Sequence, residues 1–335
     1  MTTFAIDRPP TDFRLLADEI RDANLLERRS GAYAARIALT LAAFGAGWLA
    51  LFVVGNSWLA LAVAPVLGFV STQVVFFGHD AGHRQVFCSR RANRLLGLLV
   101  GNGLIGLSFG WWVPKHAAHH AHPNVIDRDP DIGVGGIALA FTADIAKGRS
   151  SAGRLLARYQ AWVFFPLLAL EGLGLHISGV DFLLRRRDRS AALEGLLLGL
   201  HTVVYLTLVF WVLSPLRGVA FLVIEQGLLG LYLGCTFAPN HKGMPIYEDD
   251  SNLGFLQSQT SVSRNVKGGR FTAFIFGGLN YQIEHHLFPA MPRPNLAKAQ
   301  RIVRAFCACH DIPYNEDTLV GSYRQALSYL NQVSK

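Results

Sequence analysis

The sequence predicts an all-α integral membrane protein: two transmembrane helical hairpins, four spans in all, capped by a cytosolic helical domain. Three observations predict it. Of the 335 residues 51% are hydrophobic, and the mean hydropathy is positive at +0.29. Four apolar runs each approach the roughly 20 helical residues that span a hydrocarbon core of about 30 Å. Lys and Arg, which outnumber Asp and Glu by 31 to 23, gather on one side of those runs.

Residues 1–36 read as a cytosolic N-terminal segment, because Asp7, Asp12, Asp18 and Glu19 precede any apolar core of the kind a cleaved signal peptide needs. Residues 37–78 form the first hairpin: the stretch carries no charge, and Gly55, Asn56 and Ser57 in its middle supply a turn. Residues 195–237 form the second, from runs 195–213 and 219–237 joined by 214–218. Residues 79–194 and 238–335 are then cytosolic or interfacial. Two weaker apolar stretches, 95–112 and 162–180, are ambiguous by length alone.

Charge orients the chain by the positive-inside rule. The turn at 55–57 has no Lys or Arg and that at 214–218 has only Arg217. The opposite side holds Arg28, Arg29, Arg84, Arg90, Arg91, Arg94, the 185–189 cluster, Lys242, Arg264, Lys267 and Arg270. Both termini and the long loops are therefore expected on the cytoplasmic face of the cytoplasmic membrane. Anionic lipid headgroups account for most of these cations, and no nucleic-acid motif accompanies them, so no nucleic-acid partner is expected. The four cysteines, Cys88, Cys235, Cys307 and Cys309, are too unevenly placed for a disulfide framework. Cys307 and Cys309 before His310 fit a buried helix face better than a zinc finger.

Seven of the twelve histidines fall into three short groups. His79-Asp80-Ala81-Gly82-His83 follows the first hairpin, His116-Ala117-Ala118-His119-His120 comes next, and Gln282-Ile283-Glu284-His285-His286 follows the second. Helical positions i, i+3 and i+4 share a face, so each group aims its imidazoles in one direction. One H-x-x-H-H run is expected by chance only about 0.015 times in a chain of this composition. Imidazole suits Fe, Zn, Cu and Ni, and so many histidines exceed the demand of a single open metal site. Asp80, Asn124, Asp129, Asp131, Asn240, Gln282 and Glu284 are candidates for orienting the rings, with a plain solvated helix residue as the alternative for Glu284. A full crossing at 95–112 or 162–180 would put the groups on opposite sides of the membrane. Both stretches are therefore expected to be interfacial or re-entrant, with Trp111 and Trp112 as interfacial anchors.

The boxes H-x-x-x-H, H-x-x-H-H and Q-x-x-H-H, separated by two hairpins, resemble the membrane fatty acid desaturase family over residues 37–296. The likeness includes His119-His120-Ala121-His122-Pro123-Asn124, Asp129-Pro130-Asp131, His285-His286-Leu287-Phe288-Pro289 and Pro292-Arg293-Pro294-Asn295-Leu296. The resemblance implies a di-iron centre ligated by His79, His83, His116, His119, His120, His285 and His286, with His241 as a further ligand after the last membrane helix. It also implies O2 as co-substrate and an acyl chain carried on lipid, coenzyme A or acyl-carrier protein as the molecule desaturated. In the stearoyl-CoA branch an asparagine four residues before that last ligand coordinates through water; here that position is Phe237, and the contact does not carry over. Gln282 stands where that branch has histidine, as similar glutamines do in front-end desaturases; the chain as a whole most resembles stand-alone bacterial acyl desaturases with such a third box. No cytochrome b5 H-P-G-G run is visible, so electrons are expected from a ferredoxin or similar carrier with its reductase. Arg90, Arg91, Arg94, Arg264, Lys267 and Arg270 are expected to attract it.

Lipid or terpenoid hydroxylases and acetylenases share this scaffold. Histidines alone also admit a zinc hydrolase, and a haem carrier using His201 would leave the boxes unexplained. His201 and Glu225 lie within adjacent antiparallel membrane helices and read either as a structural hydrogen bond or as polar lining of a distal acyl tunnel. His122, His176 and His310 fall outside the box spacing and read as supporting, interfacial and surface residues.

Overall fold

The computed structural model describes residues 12–133, 139–248 and 253–333, which leaves Asp7 outside the described residues. A short helix α1 (Asp12–Asp22) precedes α2 (Ser30–Val54), and a 3-10 turn (Trp58–Ala62) then leads into α3 (Val63–Gly82). The chain reverses at Gly55, whose φ of 64° is a left-handed value that costs glycine no Cβ clash. Next, α4 (Arg90–Gly97) runs into a π-helical stretch (Leu98–Ile105) that is bent by 117° against α5 (Phe109–Ala121). A pair of helices bent this sharply is either a broken span or a re-entrant loop. Short helices α6 (Ala143–Lys147), α7 (Ser151–Arg158) and α8 (Phe164–Leu168) lead to α9 (Glu171–Leu184), and α10 (Arg189–Val212) and α11 (Pro215–His241) form the second hairpin.

Among the described residues five segments are long and apolar enough to cross a membrane: Ser30–Val54, Trp58–Gly82, Phe164–Leu184, Arg189–Val212 and Pro215–His241. The first hairpin and the second supply four of them. The fifth lies in the stretch expected to be interfacial, so length and composition do not set it apart. Its α9 portion lies against α11 at two glycines: a Cβ on Gly230 would stand 2.5 Å from the backbone nitrogen of Gly172. Small residues let helix backbones approach this closely where no hydrophobic effect drives them together.

Beyond α11 come α12 (Phe255–Ser261), β1 (Arg264–Val266), α13 (Arg270–Ile275), α14 (Gln282–Leu287), α15 (Leu296–Cys309), β2 (Asn315–Asp317), parallel to β1, and α16 (Leu319–Val333). Leu16 and Ile20 of α1 share a buried core with Ile283, Leu287, Val303 and Cys307, so the N-terminal segment belongs to this helical layer. Cys307 is buried and Cys309 exposed, which corrects the expectation of a shared buried face: residues two apart on a helix point to different sides.

Two expectations need correction. The helices outrun their apolar stretches: α3 continues past residue 78 to take in His79, and α11 ends on His241 itself. Polar residues continue a helix when they face protein, which hydropathy alone does not register. Arg264, expected on an exposed basic surface, is only 1% exposed. Its guanidinium donates to the carbonyls of Pro239 (2.7 and 2.9 Å) and Lys242 (2.8 Å) and to Gln325 Oε1 (2.6 Å). Carbonyls at a helix C-terminus lack intrahelical partners and carry partial negative charge, and a buried guanidinium answers both.

Gly230→Val is expected to lower the melting temperature in detergent by several degrees, because overpacking costs about 1–3 kcal/mol. Gly227→Val is the control, since a Cβ there meets nothing within 4 Å. Thermal unfolding of both purified variants, followed by tryptophan fluorescence, measures the difference.

Candidate metal centre

The three boxes meet at one end of the long helices. His79 lies in the last turn of α3 and His83 just beyond it; His116, His119 and His120 lie on α5, His241 ends α11, and His285 and His286 lie on α14. Ligand nitrogens of His79, His83, His116 and His285 lie within 4.8 Å of one another, and so do those of His119, His241 and His286. His120 joins the two sets: its ring stacks on His286 at 4.1 Å, and its Nε2 lies 3.1 Å from His116 Nε2. All eight histidines expected as ligands therefore converge.

Their hydrogen bonds leave a shared deficit at the centre. His119 Nδ1 meets both oxygens of Asp129 at 3.0 Å, His241 Nδ1 donates to the Val262 carbonyl at 3.0 Å, and His286 Nδ1 donates to Gln259 Oε1 at 3.0 Å. Each bond puts the ring proton on Nδ1 and turns Nε2 toward the cluster. His241 Nε2 and His286 Nε2 then face each other across 3.1 Å. His79 Nε2, His83 Nε2 and both nitrogens of His285 are buried with no protein partner. An unpartnered buried polar atom costs about 1–3 kcal/mol, and a cation at each set would answer one nitrogen of each ring. Burial first, and then neighbouring histidines, hold His83, His285 and His286 well below the usual imidazole range. That keeps them neutral, the form that ligates. The donor set fits two metal ions.

The residues expected to orient the rings divide into two kinds. Asp129 binds His119 directly; burial opposes its charge, yet the hydrogen bond from His119 holds it below the usual carboxylate range. Its oxygens also accept from the backbone nitrogens of Asn124 (2.7 Å) and Asp131 (2.8 Å), which folds the loop under α5. Asn124 Nδ2 reaches the carbonyls of His241 (3.3 Å) and Pro245 (3.0 Å), and Asp131 pairs with Lys115. Asp80 Oδ1 lies 3.5 Å from His79 Nδ1, while its other oxygen takes the Arg293 guanidinium. Asn240 and Gln282 bond to each other beside His241. Glu284 touches no histidine. It is fully buried, accepts from Asn265 Nδ2 (2.8 Å) and Tyr314 Oη (2.7 Å), and burial pushes its carboxyl up to about 7.

Several partners carried no signal in the sequence. Gln259, Val262, Asn265 and Tyr314 belong to no spaced motif, and Arg293 stood only in a proline-rich run. Trp112, expected as an interfacial anchor, stacks on His116 at 4.4 Å and walls the cluster. Phe237 packs 6.3 Å from the His79 ring, an apolar contact where a water-binding asparagine would stand.

His201 and Glu225 do not bond each other. Tyr205 lies between them, donating to Glu225 Oε2 at 2.7 Å and stacking on His201 at 5.5 Å, while His201 Nδ1 reaches the Gly103 carbonyl at 3.1 Å. Both line one small cavity with Ser71, Gln226 and Leu104. His176 bonds the Gly106 carbonyl (2.8 Å) and Gln226 Oε1 (3.1 Å), His310 stacks on Phe306, and His122 follows the end of α5 outside both sets.

Asp129→Ala is expected to weaken metal retention about 10- to 100-fold, the usual effect of losing a ligand's hydrogen-bond partner. Asp181→Ala, which removes an exposed pair with Arg185, is expected to have no effect. Metal content after timed exposure to a chelator compares them.

Comparison with known proteins agrees with this geometry. The family model for fatty acid desaturases matches residues 56–318. The chain is 31% identical over 323 residues to a Delta(8)-fatty-acid desaturase of Euglena gracilis, covering 92% of this chain and 75% of that one. It is 27% identical to a Delta(8)-fatty-acid desaturase of Helianthus annuus (90% and 69% covered) and 30% identical to a Delta(6)-fatty-acid desaturase of Caenorhabditis elegans (81% and 64%). With three histidine boxes gathered into one buried cluster and most of its length matched, the chain belongs to the fatty acid desaturase family, and it is an oxidoreductase acting on fatty acyl chains.

Proposed function

We propose that this enzyme introduces its double bond at two irons held by His79, His83, His116, His119, His120, His241, His285 and His286. The two converging imidazole sets carry this reading. When bound and reduced, the irons supply with O2 the oxidising power that removes two hydrogens from adjacent methylenes. The chain's own residues do the rest. Asp129, Asp80, Gln259 and the Val262 carbonyl fix the imidazoles, and no protein nucleophile is needed because an unactivated C–H bond offers no acidic proton. The acyl chain lies among the membrane helices, where each buried methylene contributes about 0.8 kcal/mol. Uniform burial does not select a carbon, so register is set where the chain's ends are held.

Gln282 in the third box, together with relatives named as Delta(8) and Delta(6) desaturases, supports front-end chemistry. The topology is four-span with both termini and the boxes in the cytoplasm. Since α5 and α14 meet in one cluster, full crossings between them must be even in number; α10 and α11 make two, which assigns α9 a partial or interfacial course. Electrons come from an acidic ferredoxin-like carrier drawn to Arg90, Arg91, Arg94, Lys267 and Arg270, all exposed.

Purified protein is expected to hold about two irons per chain, the demand that eight histidines meet. His119→Ala and His286→Ala are expected to lose metal and turnover together, while His310→Ala keeps both. With lipid extract, reductant and O2, mass spectrometry is expected to show loss of two hydrogens; gain of oxygen would instead identify a hydroxylase.

Glu225 is proposed to close the distal end of the acyl path through its bonds to Ser71, Tyr205 and Gln226. Glu225→Gln at normal yield is expected to shift chain-length preference in product analysis. Lost stability with unchanged preference would leave the residue a purely structural role.

A further inference from the structure

Ligand nitrogens of His119, His241 and His286 lie within 4.8 Å of one another, and the His120 ring stacks on His286 at 4.1 Å. One more side chain stands beside His241. Gln282, 2% exposed, has its Nε2 2.9 Å from His241 Nε2 and its Oε1 3.1 Å from Asn240 Nδ2. Asn240 fixes which end of that amide points where. The same Nδ2 faces the backbone carbonyls of Thr236 (3.2 Å) and Leu279 (3.0 Å), which only accept, so the Asn240 amide cannot be reversed. Reversing Gln282 instead would set two donors against each other. The glutamine oxygen is thus tied back to α11, and its N–H2 group points at the histidines.

An amide ligates metals through its oxygen and donates through its nitrogen. Resting on the di-iron reading, we propose that Gln282 is not a metal ligand but a fixed N–H donor. In the absence of metal its partner is His241 Nε2; with that lone pair given to a metal, the N–H is left to hold the metal's oxygen-centred small ligand, water or dioxygen. A histidine at this position would bring a lone pair, whereas this glutamine brings a donor. Asn240 is the positioning residue, acting only through Gln282.

Nitric oxide, a surrogate for dioxygen, tests this when titrated into the anaerobic ferrous full-length protein in detergent, with iron per chain measured alongside. Gln282→Leu and Gln282→Glu both remove the N–H. Both are expected to keep the wild-type iron content and to bind nitric oxide about tenfold more weakly, the size of one hydrogen bond. Asn240→Leu is expected to weaken nitric oxide binding in the same direction. If Gln282→Leu loses an iron that Gln282→Glu retains, the side chain is an oxygen ligand and the proposal falls. It falls equally if both variants keep their iron and bind nitric oxide as wild type does. Should Gln282→Leu not fold, Gln282→Glu decides alone: weakened nitric oxide binding at full iron content supports the donor, and unchanged binding overturns it. Wild-type protein lacking two irons would defeat the di-iron reading itself, a separate failure.

Discussion

Neutral imidazoles with their lone pairs turned toward one another are stable inside a protein only around positive charge, and the architecture follows from that constraint. Water is the usual partner for a ring nitrogen, but this cluster is closed off by Trp112, Phe237 and the core of α14 and α15. The helices that deliver the rings must therefore end at one place. α3 carries His79 in its last turn, α11 ends on His241, and the bend between the π-helical stretch and α5 brings the second box back to meet them.

Around that centre the protein uses its charges sparingly and in the interior. Asp80 lies between His79 and Arg293, whose guanidinium also stands 5.3 Å from the Phe77 ring. Arg264 gathers the carbonyls at the end of α11, and Glu284 ties the third box to Asn265 and Tyr314. None of these groups reaches the ring nitrogens that face the cluster centre. They make the surroundings rigid, and truncating one partner of a buried pair costs about 3–5 kcal/mol because the other charge is stranded.

Seven of the eight candidate ligands were legible because their order is local: a spacing of three and four residues places imidazoles on one helix face whatever the rest of the chain does. His241 stands in no such group and was found only through the family resemblance. Partners recruited across long separations leave no such trace. Gln259 meets His286 from a different helix, and Tyr314 reaches Glu284 from beyond α15. Arg264 misled for a related reason: a cation near the end of an apolar helix has the same local pattern whether it faces headgroups or caps carbonyls. The contact of Trp112 with His116 left no trace either, since an aromatic residue at the edge of an apolar run suits an interface and a metal cluster equally well. Hydropathy found the hairpins but ended them early, because His79 and His241 continue their helices by facing inward.

The pairing of Asp80 with Arg293 joins residues 213 positions apart. During synthesis the carboxylate leaves the ribosome long before the guanidinium that will neutralise it. Until then the end of α3 must stay wet, since an unpaired carboxylate is too costly to bury. Burial of the end of α3 thus depends on the segment after the third box, and a nascent chain stalled before residue 293 would leave Asp80 without the cation that neutralises it.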